Sequence, residues 1–333
     1  MLRATLPTVA TGDLTDLALH DAAGGRVLVV GDGNFSFTRA FLRANAARVA
    51  SGAIALTATS LDTHAELLRM YPSAAAALAE LAAGGASVAH GVDATRLSEW
   101  RRPDETSRAF DRVVFNFPHF AAGGAKRNKI HRHRQLLCEF FASAAAVLAR
   151  DGLVFVTLCA GQGGTPCDPK PRAPGDTWQV VQCAADAGLV LRDVHRCPVE
   201  TLAALGYLSV GYKLRERGFW TPDSVTHVFG REAVGVPAPF PIEWTRAISF
   251  WTHEGFTEAK VAAILRASFP APMTLRYELT DTYTCPQTGR ASVTYAFTVA
   301  CAYSALSKAR VNARALAALR RIESSGFASS RAA

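Results

Sequence analysis

The chain of 333 residues has no Cys-x-x-Cys pair, no Gly-Lys-Ser/Thr after its glycine turn, and no apolar run long enough to span a bilayer. Each absence removes a class of protein. The seven cysteines, Cys138, Cys159, Cys167, Cys183, Cys197, Cys285 and Cys301, are odd in number and irregular in spacing. They read as reduced, mostly buried thiols of an intracellular protein rather than a disulfide framework. His131 and His133 lack cysteine partners at finger spacing, so no metal site is expected. The longest alanine-rich runs, around Ser73–Ala83 and Phe140–Ala149, are helical core segments and not membrane spans. The first dozen residues hold no acid but only one arginine, Arg3, which reads as a frayed terminus better than as a mitochondrial presequence. Mitochondrion, nucleolus and cytoplasm all stay open as the compartment.

What is present points to two domains with a basic surface. The length suits two cores, 49% of residues are hydrophobic, and 36 Lys and Arg against 28 Asp and Glu give a net charge of +8. Nucleic acid is the natural partner of such a charge balance.

The most informative junction is Arg26-Val27-Leu28-Val29-Val30-Gly31-Asp32-Gly33-Asn34-Phe35-Ser36-Phe37. An unbroken apolar run predicts a buried parallel strand, and two glycines let the backbone turn tightly beside a ligand. A dinucleotide fingerprint needs a third glycine where Ser36 stands, so pyrophosphate is disfavoured. The embedded Asp32 repels phosphate but suits a ligand with an amino group and a sulfonium, as in S-adenosyl-L-methionine. Taken alone, the turn fits a ligand-free strand-to-helix corner equally well.

From Arg26 to about His195, short apolar runs alternate with alanine- and leucine-rich periodic stretches. Strands are predicted at Val27–Val30, Ile54–Thr59, Ser87–Ala89, Arg112–Phe115, Leu153–Leu158 and Leu189–His195, with helices at Thr38–Val49, Ala65–Ala83, Ile130–Ala149 and Thr177–Ala187. This is a Rossmann-like, doubly wound, mainly parallel α/β order, in which ligands sit outside the carboxyl ends of the strands. Those ends carry Gly31, Asp32 and Gly33 after the first strand, Asp62 after the second, Asp93 after the third and Asn116-Phe117-Pro118-His119 after the fourth. Asp62 is placed for ribose hydroxyls and Asp93 for the adenine amine. The turn-rich stretch Ala160–Asp176 is either a substrate loop or a surface insertion.

A proline-rich linker is predicted over 220–241, after a domain over 26–219 and an N-terminal extension over 1–25. Beyond it, strands at Thr245–His253, Thr274–Asp281 and Ser292–Cys301 and helices at Thr257–Ala267 and Lys308–Glu323 give the β-α-β-β-α order of a smaller α+β, ferredoxin-like domain over 242–331. In the last helix Val311, Ala315, Leu316, Leu319 and Ile322 form the expected apolar face, with Arg310, Arg314, Arg320 and Arg321 elsewhere.

Gly31-Asp32-Gly33-Asn34-Phe35-Ser36-Phe37, Ala58-Thr59-Ser60-Leu61-Asp62, Asn116-Phe117-Pro118-His119, Arg134-Gln135-Leu136-Leu137 before Phe140-Phe141, and Gly206-Tyr207 with Gly211-Tyr212 together resemble the 25S rRNA (uridine-N(3))-methyltransferase-like domain. Arg246-Ala247-Ile248-Ser249-Phe250, Leu279–Tyr283 and Gly289–Ser292 resemble the ferredoxin-fold anticodon-binding domain that ends phenylalanyl-tRNA synthetase chains. The two in this order resemble the ferredoxin-fold anticodon-binding domain-containing proteins.

The resemblance implies an S-adenosyl-L-methionine-dependent RNA methyltransferase acting on uridine N(3) in ribosomal RNA. The alternative is an inactive methyltransferase fold serving as an RNA-binding or ribosome-assembly factor. Asp32 is expected to hold the methionine amino group, with Gly31, Gly33, Asn34, Phe35 and Ser36 forming the cofactor turn. Asn116 is expected to grip the target base and Phe117 to stack on it, with Pro118 a further member of the same candidate catalytic motif. His119 is expected as general base, or as a histidine capping the turn. Lys126, Arg127, Lys129, Arg132 and Arg134 follow the motif and suit a phosphate backbone, or a solvated helix start. Ribosomal RNA is the first expected partner and transfer RNA the second, along with ribosomal assembly intermediates.

Overall fold

The computed structural model describes residues 10–19, 25–100, 109–120, 129–211 and 217–331, and the chain divides into two units, Met1–Glu232 and Ala233–Ala333. The first unit runs β1 (Gly25–Val29), α1 (Ser36–Ala44), α2 (Ala46–Ala50), β2 (Ile54–Ser60), α3 (His64–Met70), α4 (Ala74–Ala83), β3 (Ser87–His90), β4 (Phe110–Asn116), α5 (Lys129–Val147), β5 (Leu148–Leu158), α6 (Val180–Asp186), β6 (Leu189–Arg196), α7 (Val199–Ala204) and β7 (Val225–Arg231). Its seven strands lie in the order β3-β2-β1-β4-β5-β7-β6. The first five are parallel neighbours, and β7 inserts antiparallel to both β5 and β6. This is the doubly wound α/β sheet expected from the apolar runs; Val27 to Val30 are all buried because a central parallel strand has a helix layer on each face.

Two long predicted helices are broken for local reasons. The stretch from Ala65 to Ala83 splits into α3 and α4 because Pro72 has no N–H to continue the ladder and pushes Tyr71 out of helical geometry, to φ −132°. The stretch from Thr38 to Val49 breaks at Asn45, whose side-chain Nδ2 is drawn to the carbonyls of Phe41 and Thr15.

Two predicted boundaries are corrected. The proposed linker over 220–241 contains β7, a strand paired on both sides, between β5 and the edge strand β6. Its prolines bracket the strand without entering it, so a count of punctuating residues missed the buried Val225-Thr226-His227-Val228-Phe229 segment. The N-terminal extension does not stand apart either. Leu14, Leu17 and Leu19 are fully buried in the same core as Val27, Phe41 and Tyr71, and Thr11 bridges to Arg196 beside β6.

The second unit runs β8 (Ile242–Thr252), α8 (Glu258–Ser268), β9 (Thr274–Thr284), β10 (Ala291–Cys301), α9 (Lys308–Ser324) and β11 (Ala328–Ser330). Its sheet, in the order β11-β8-β10-β9, is antiparallel throughout. The sequence reading lacked β11; with it, the β-α-β-β-α-β order is complete. Ile248, Phe250, Tyr295, Phe297 and Val299 face Val261, Leu265, Val311 and Ile322 in one core. Leu316 departs from its predicted place: it is exposed, and Ala318 is the buried residue. Arg314 reaches across from α9 to the Ser268 carbonyl at 2.9 Å, tying the two helices together.

Candidate active site

The strand order reverses between β1 and β4, which opens the crevice where doubly wound sheets take ligands. The turn after β1 is bonded to both neighbouring strands: Val30 N–H donates to the Val114 carbonyl at 2.9 Å and Asp32 N–H to the Thr59 carbonyl at 3.1 Å. Gly31 sits at φ +62°, and a Cβ there would come within 2.8 Å of the Phe115 ring. A Cβ at Gly33 would meet only Val210, at an ordinary 3.7 Å. Gly31 is therefore required by the fold, whereas Gly33 leaves open space beside the backbone.

After β2, the Asp62 N–H donates to Ser60 Oγ at 3.1 Å, and Gly91 N–H donates to the Asp62 carbonyl at 3.3 Å, so the ends of β2 and β3 are held together. His90 packs edge-on against Phe35, with ring centroids 5.6 Å apart, and its Nε2 lies 3.3 Å from His64 Nδ1. Asp93 Oδ1 accepts the Thr95 N–H at 2.9 Å and hydroxyl at 2.8 Å, which makes it the cap of a short 3-10 turn.

Three residues expected to touch the cofactor are occupied by the protein itself. Asp32 Oδ2 is bonded to Thr38 in α1, so its carboxylate serves the helix and does not point outward as a free amino-group acceptor. Asn34 Oδ1 accepts the Ser36 N–H at 3.2 Å and its Nδ2 donates to the Leu208 carbonyl at 3.5 Å. Ser36 Oγ donates to the Leu208 carbonyl and accepts its N–H, both at 3.0 Å. These bonds dock the segment Leu205–Gly211 over the turn. Arg39 and Arg43 hold the Gly206 and Leu205 carbonyls at 2.7 and 3.0 Å, and the Tyr71 hydroxyl holds that of Gly211 at 3.2 Å. A cleft of about 430 Å³ is lined by this strap with Ser73, Val199, Ala203 and Thr221, and by none of the strand-end acids.

At the end of β4, Asn116 Oδ1 accepts the Thr157 hydroxyl at 2.7 Å, and Thr157 Oγ1 lies 3.0 Å from Thr226 Oγ1. Phe117 takes a left-handed φ of +50°, its N–H donating to the Thr157 carbonyl at 2.8 Å and its ring 5.0 Å from that of Phe219. Pro118 is buried and His119 exposed. His119 Nδ1 is 2.8 Å from the Phe120 carbonyl; a carbonyl only accepts, so the neutral ring carries its proton on Nδ1 and its lone pair on Nε2.

Sequence reasoning missed what stands behind His119. Its ring is 5.0 Å from that of His133, which stacks on Trp178 at 3.9 Å with 12° between the planes. His133 Nδ1 bonds the Lys129 carbonyl at 2.8 Å, while Nε2 is buried without a partner. Burial pushes its pKa down to about 4, so it is a neutral aromatic support. The available signal was its place four residues into α5, on the inward face with Leu137 and Phe140.

Lys126 and Arg127 lie outside the described residues. Lys129 and Arg132 are exposed at the start of α5, Arg132 over the Phe120 ring at 5.3 Å from its centroid. Arg134 is committed elsewhere: its guanidinium holds the Pro174, Gly175 and Thr177 carbonyls at 2.7–3.0 Å, fastening the turn-rich loop after β5. The three described cations of the cluster are thus divided into surface charge, Lys129 and Arg132, and a loop clasp, Arg134.

The family model described as rRNA (uridine-N3-)-methyltransferase BTM5-like matches residues 28–202. The chain belongs to this BMT5-like family. It is 40% identical over 204 residues to the mouse ferredoxin-fold anticodon-binding domain-containing protein 1 homolog, covering 61% of this chain and 30% of that protein. The human protein of the same name aligns at 40% over 206 residues, 62% of this chain and 31% of that one. The chain thus spans about a third of the length of these curated relatives. Among solved structures, a TehB-like SAM-dependent methyltransferase from Corynebacterium glutamicum aligns at TM-score 0.33 and 16% identity, over 66% of this chain and 89% of that one. TrmN from Thermus thermophilus aligns at TM-score 0.37 and 18% identity, over 65% and 46%. The fold assignment rests on the strand order itself.

Membership of a methyltransferase family brings S-adenosyl-L-methionine as the methyl donor. The crevice fits it: Gly33 keeps space beside the β1 turn, Asp62 stands at the end of β2, and Asn116 to His119 border the same reversal point. No helix among the described residues is long and apolar enough to cross a membrane.

Proposed function

We propose that the chain methylates N3 of a uridine in ribosomal RNA. The observation that carries this reading is the Asn116-to-His119 motif at the sheet's reversal point, within the region matched by an rRNA (uridine-N3-)-methyltransferase family.

S-adenosyl-L-methionine, when bound, supplies an electrophilic methyl on a sulfonium. The residues of the chain do the rest. Gly33 lets the donor approach the backbone, and Asp62 is placed to accept ribose hydroxyls. Uridine N3 carries a proton at neutral pH and must lose it to become nucleophilic. His119, exposed and with Nδ1 engaged by the Phe120 carbonyl, presents Nε2 as the atom to accept it, and Asn116 orients the base edge. Phe120 and His133 hold the His119 ring from behind. Lys129 and Arg132 supply phosphate contacts, joined by Lys126 and Arg127, and the C-terminal β-α-β-β-α-β domain adds RNA affinity. The edge to be methylated is buried in a base pair, so the substrate segment is single-stranded or unpaired.

A second reading, a non-catalytic RNA-binding assembly factor, is favoured by the commitment of Asp32, Asn34 and Ser36 to α1 and the strap. Nucleoside mass spectrometry of ribosomal and transfer RNA from cells with and without the protein decides between them. Loss of 3-methyluridine from ribosomal RNA supports the enzyme; an unchanged nucleoside profile with altered ribosome assembly supports the factor.

A further inference from the structure

We propose that Thr157, in its buried pair with Thr226, is a positioning residue that turns the Asn116 amide so that it offers the target base only N–H donors. This selects a base with carbonyls beside the reacting nitrogen and rejects one with an amino group. The inference rests on the reading of Asn116 as the base-gripping side chain.

Thr157 on β5 and Thr226 on β7 are paired across the antiparallel ladder. Both are fully buried, with their hydroxyl oxygens 3.0 Å apart, and Thr157 Oγ1 is also 2.7 Å from Asn116 Oδ1. Among the described residues these contacts are the only side-chain hydrogen bonds of Thr226 and Asn116. The direction of the chain then follows from placing each hydroxyl proton. If Thr226 donates to Thr157 and Thr157 donates to Asn116 Oδ1, both protons are used. If instead the amide were turned over and gave an N–H to Thr157, one hydroxyl proton of the pair would have no acceptor in a site closed to water. A buried polar group left unpaired is penalised, so the first arrangement prevails.

With Oδ1 engaged, the free part of Asn116 is its NH2. A uracil edge presents a carbonyl on each side of N3, so an N–H donor can hold the base by an oxygen and leave N3 itself to the base and the methyl group. Where uracil has O4, cytosine carries an amino group, as adenine does at C6, and two donors would then face each other; O2 is a carbonyl in both pyrimidines, so the selection requires the Asn116 amide to meet O4. A buried donor without an acceptor is how a site rejects a near-isosteric substrate. Methylation of an exocyclic amine would require an acceptor in this position, which the relay has consumed.

The test uses the full chain with S-adenosyl-L-homocysteine added, and compares its affinity for uridine and cytidine decamers by fluorescence anisotropy. The wild-type chain is expected to prefer the uridine decamer by about tenfold or more, the scale of one hydrogen-bond mismatch. Thr157→Val keeps the shape but removes the relay, and the preference is expected to fall below about threefold while S-adenosyl-L-methionine affinity by calorimetry stays the same. Thr157→Ser restores the hydroxyl and is expected to restore the preference. Thr226→Val leaves Asn116 Oδ1 as the acceptor for the Thr157 hydroxyl and is expected to keep the preference, so the variant that stands in if Thr157→Val does not fold is Thr157→Ala, which also removes the hydroxyl and is expected to lower the preference. An undiminished preference in Thr157→Val and Thr157→Ala overturns the relay. A wild-type chain that binds S-adenosyl-L-methionine but treats the two decamers alike overturns the relay and spares the methyltransferase reading. A wild-type chain that binds no S-adenosyl-L-methionine overturns both.

Discussion

Asp32 Oδ2 accepts two hydrogen bonds from one residue, the Thr38 N–H at 2.8 Å and the Thr38 hydroxyl at 2.6 Å. Phe35, at the N-cap of α1, adopts φ +59° and has no side-chain acceptor to offer. Asp32 reaches over from the glycine turn to take that role, binding the strand-to-helix corner at the third helical residue. The acid that looked like a cofactor contact is a remote helix cap.

Asp32→Ala should therefore cost about 1–2 kcal/mol of stability, the range for a lost N-cap. Burial raises the Asp32 carboxyl above its ordinary value. A raised carboxyl contributes stability that is present below the unfolded carboxylate pKa and lost as pH rises through the folded one. Asp32→Asn keeps an acceptor for Thr38 and discards the buried charge, so at pH 7.5 it should be at least as stable as the wild type, with the advantage shrinking as pH falls toward 4. Urea unfolding of both variants at several pH values measures this. An Asn variant as weak as the Ala variant at pH 7.5 would mean that the charge itself is required.

Gly31 and Gly33 should separate cleanly. Gly31→Ala places a side chain at φ +62° and into the Phe115 ring, and should cost about 1–3 kcal/mol. Gly33→Ala meets no close neighbour, so its stability should change by no more than about 0.5 kcal/mol. Its methyl instead fills the proposed donor cradle, and S-adenosyl-L-methionine affinity by calorimetry should drop at least tenfold, or about 1.4 kcal/mol. Unchanged affinity in Gly33→Ala would move the donor away from this turn.

Arg132 and Arg134 are two residues apart and should respond differently. Arg132 is exposed over Phe120, and replacing it with Ala should lower the salt dependence of RNA binding by about one phosphate contact. Arg134→Ala instead releases the carbonyls of Pro174, Gly175 and Thr177. Its expected signature is faster proteolytic cleavage between Ala160 and Asp176 with an unaltered salt slope. A reduced slope in Arg134→Ala would return that residue to the RNA-binding surface.

The sheet was legible because buried parallel strands write themselves as apolar runs: Val27–Val30 is unbroken, and Leu153–Leu158 is interrupted only by Thr157. β7 was not, because its neighbourhood of prolines and glycines carries the punctuation of a linker and Thr226 and His227 interrupt its own apolar residues. At the site, the motif residues were found in the right place, at the strand ends, but their partners were not. Which atom an aspartate or asparagine faces depends on residues far along the chain, as with Asn34 and Leu208, or Asn116, Thr157 and Thr226. A lone threonine in the run Leu153-Val154-Phe155-Val156-Thr157-Leu158 was the one mark of the relay, since a buried strand spends a hydroxyl only where something accepts it.

His227 on β7 supplies the clearest pH dependence. The ring is fully buried, with the Val156 and Val225 backbone as its polar neighbours. Gly163 in the loop after β5 lies against it so closely that a Cβ there would fall 2.6 Å from Nε2. Burial, with the neighbouring His195 as a lesser cause, lowers its pKa from 6.5 to about 4. The unfolded chain therefore binds a proton that the folded chain refuses across this interval. The stability contribution is complete above the unfolded value of 6.5 and is lost as pH falls toward 4. At pH 4.5 the loss from this residue should reach about 2 kcal/mol. His133 and His195 are depressed in the same direction by burial, so the wild-type slope alone does not isolate it. The difference between wild type and His227→Leu does: the variant should be less sensitive to acid, with the two unfolding midpoints converging or crossing between pH 7 and 4.5. Parallel stability curves for the two proteins over that range would show that His227 takes up its proton in the folded state as readily as in the unfolded chain.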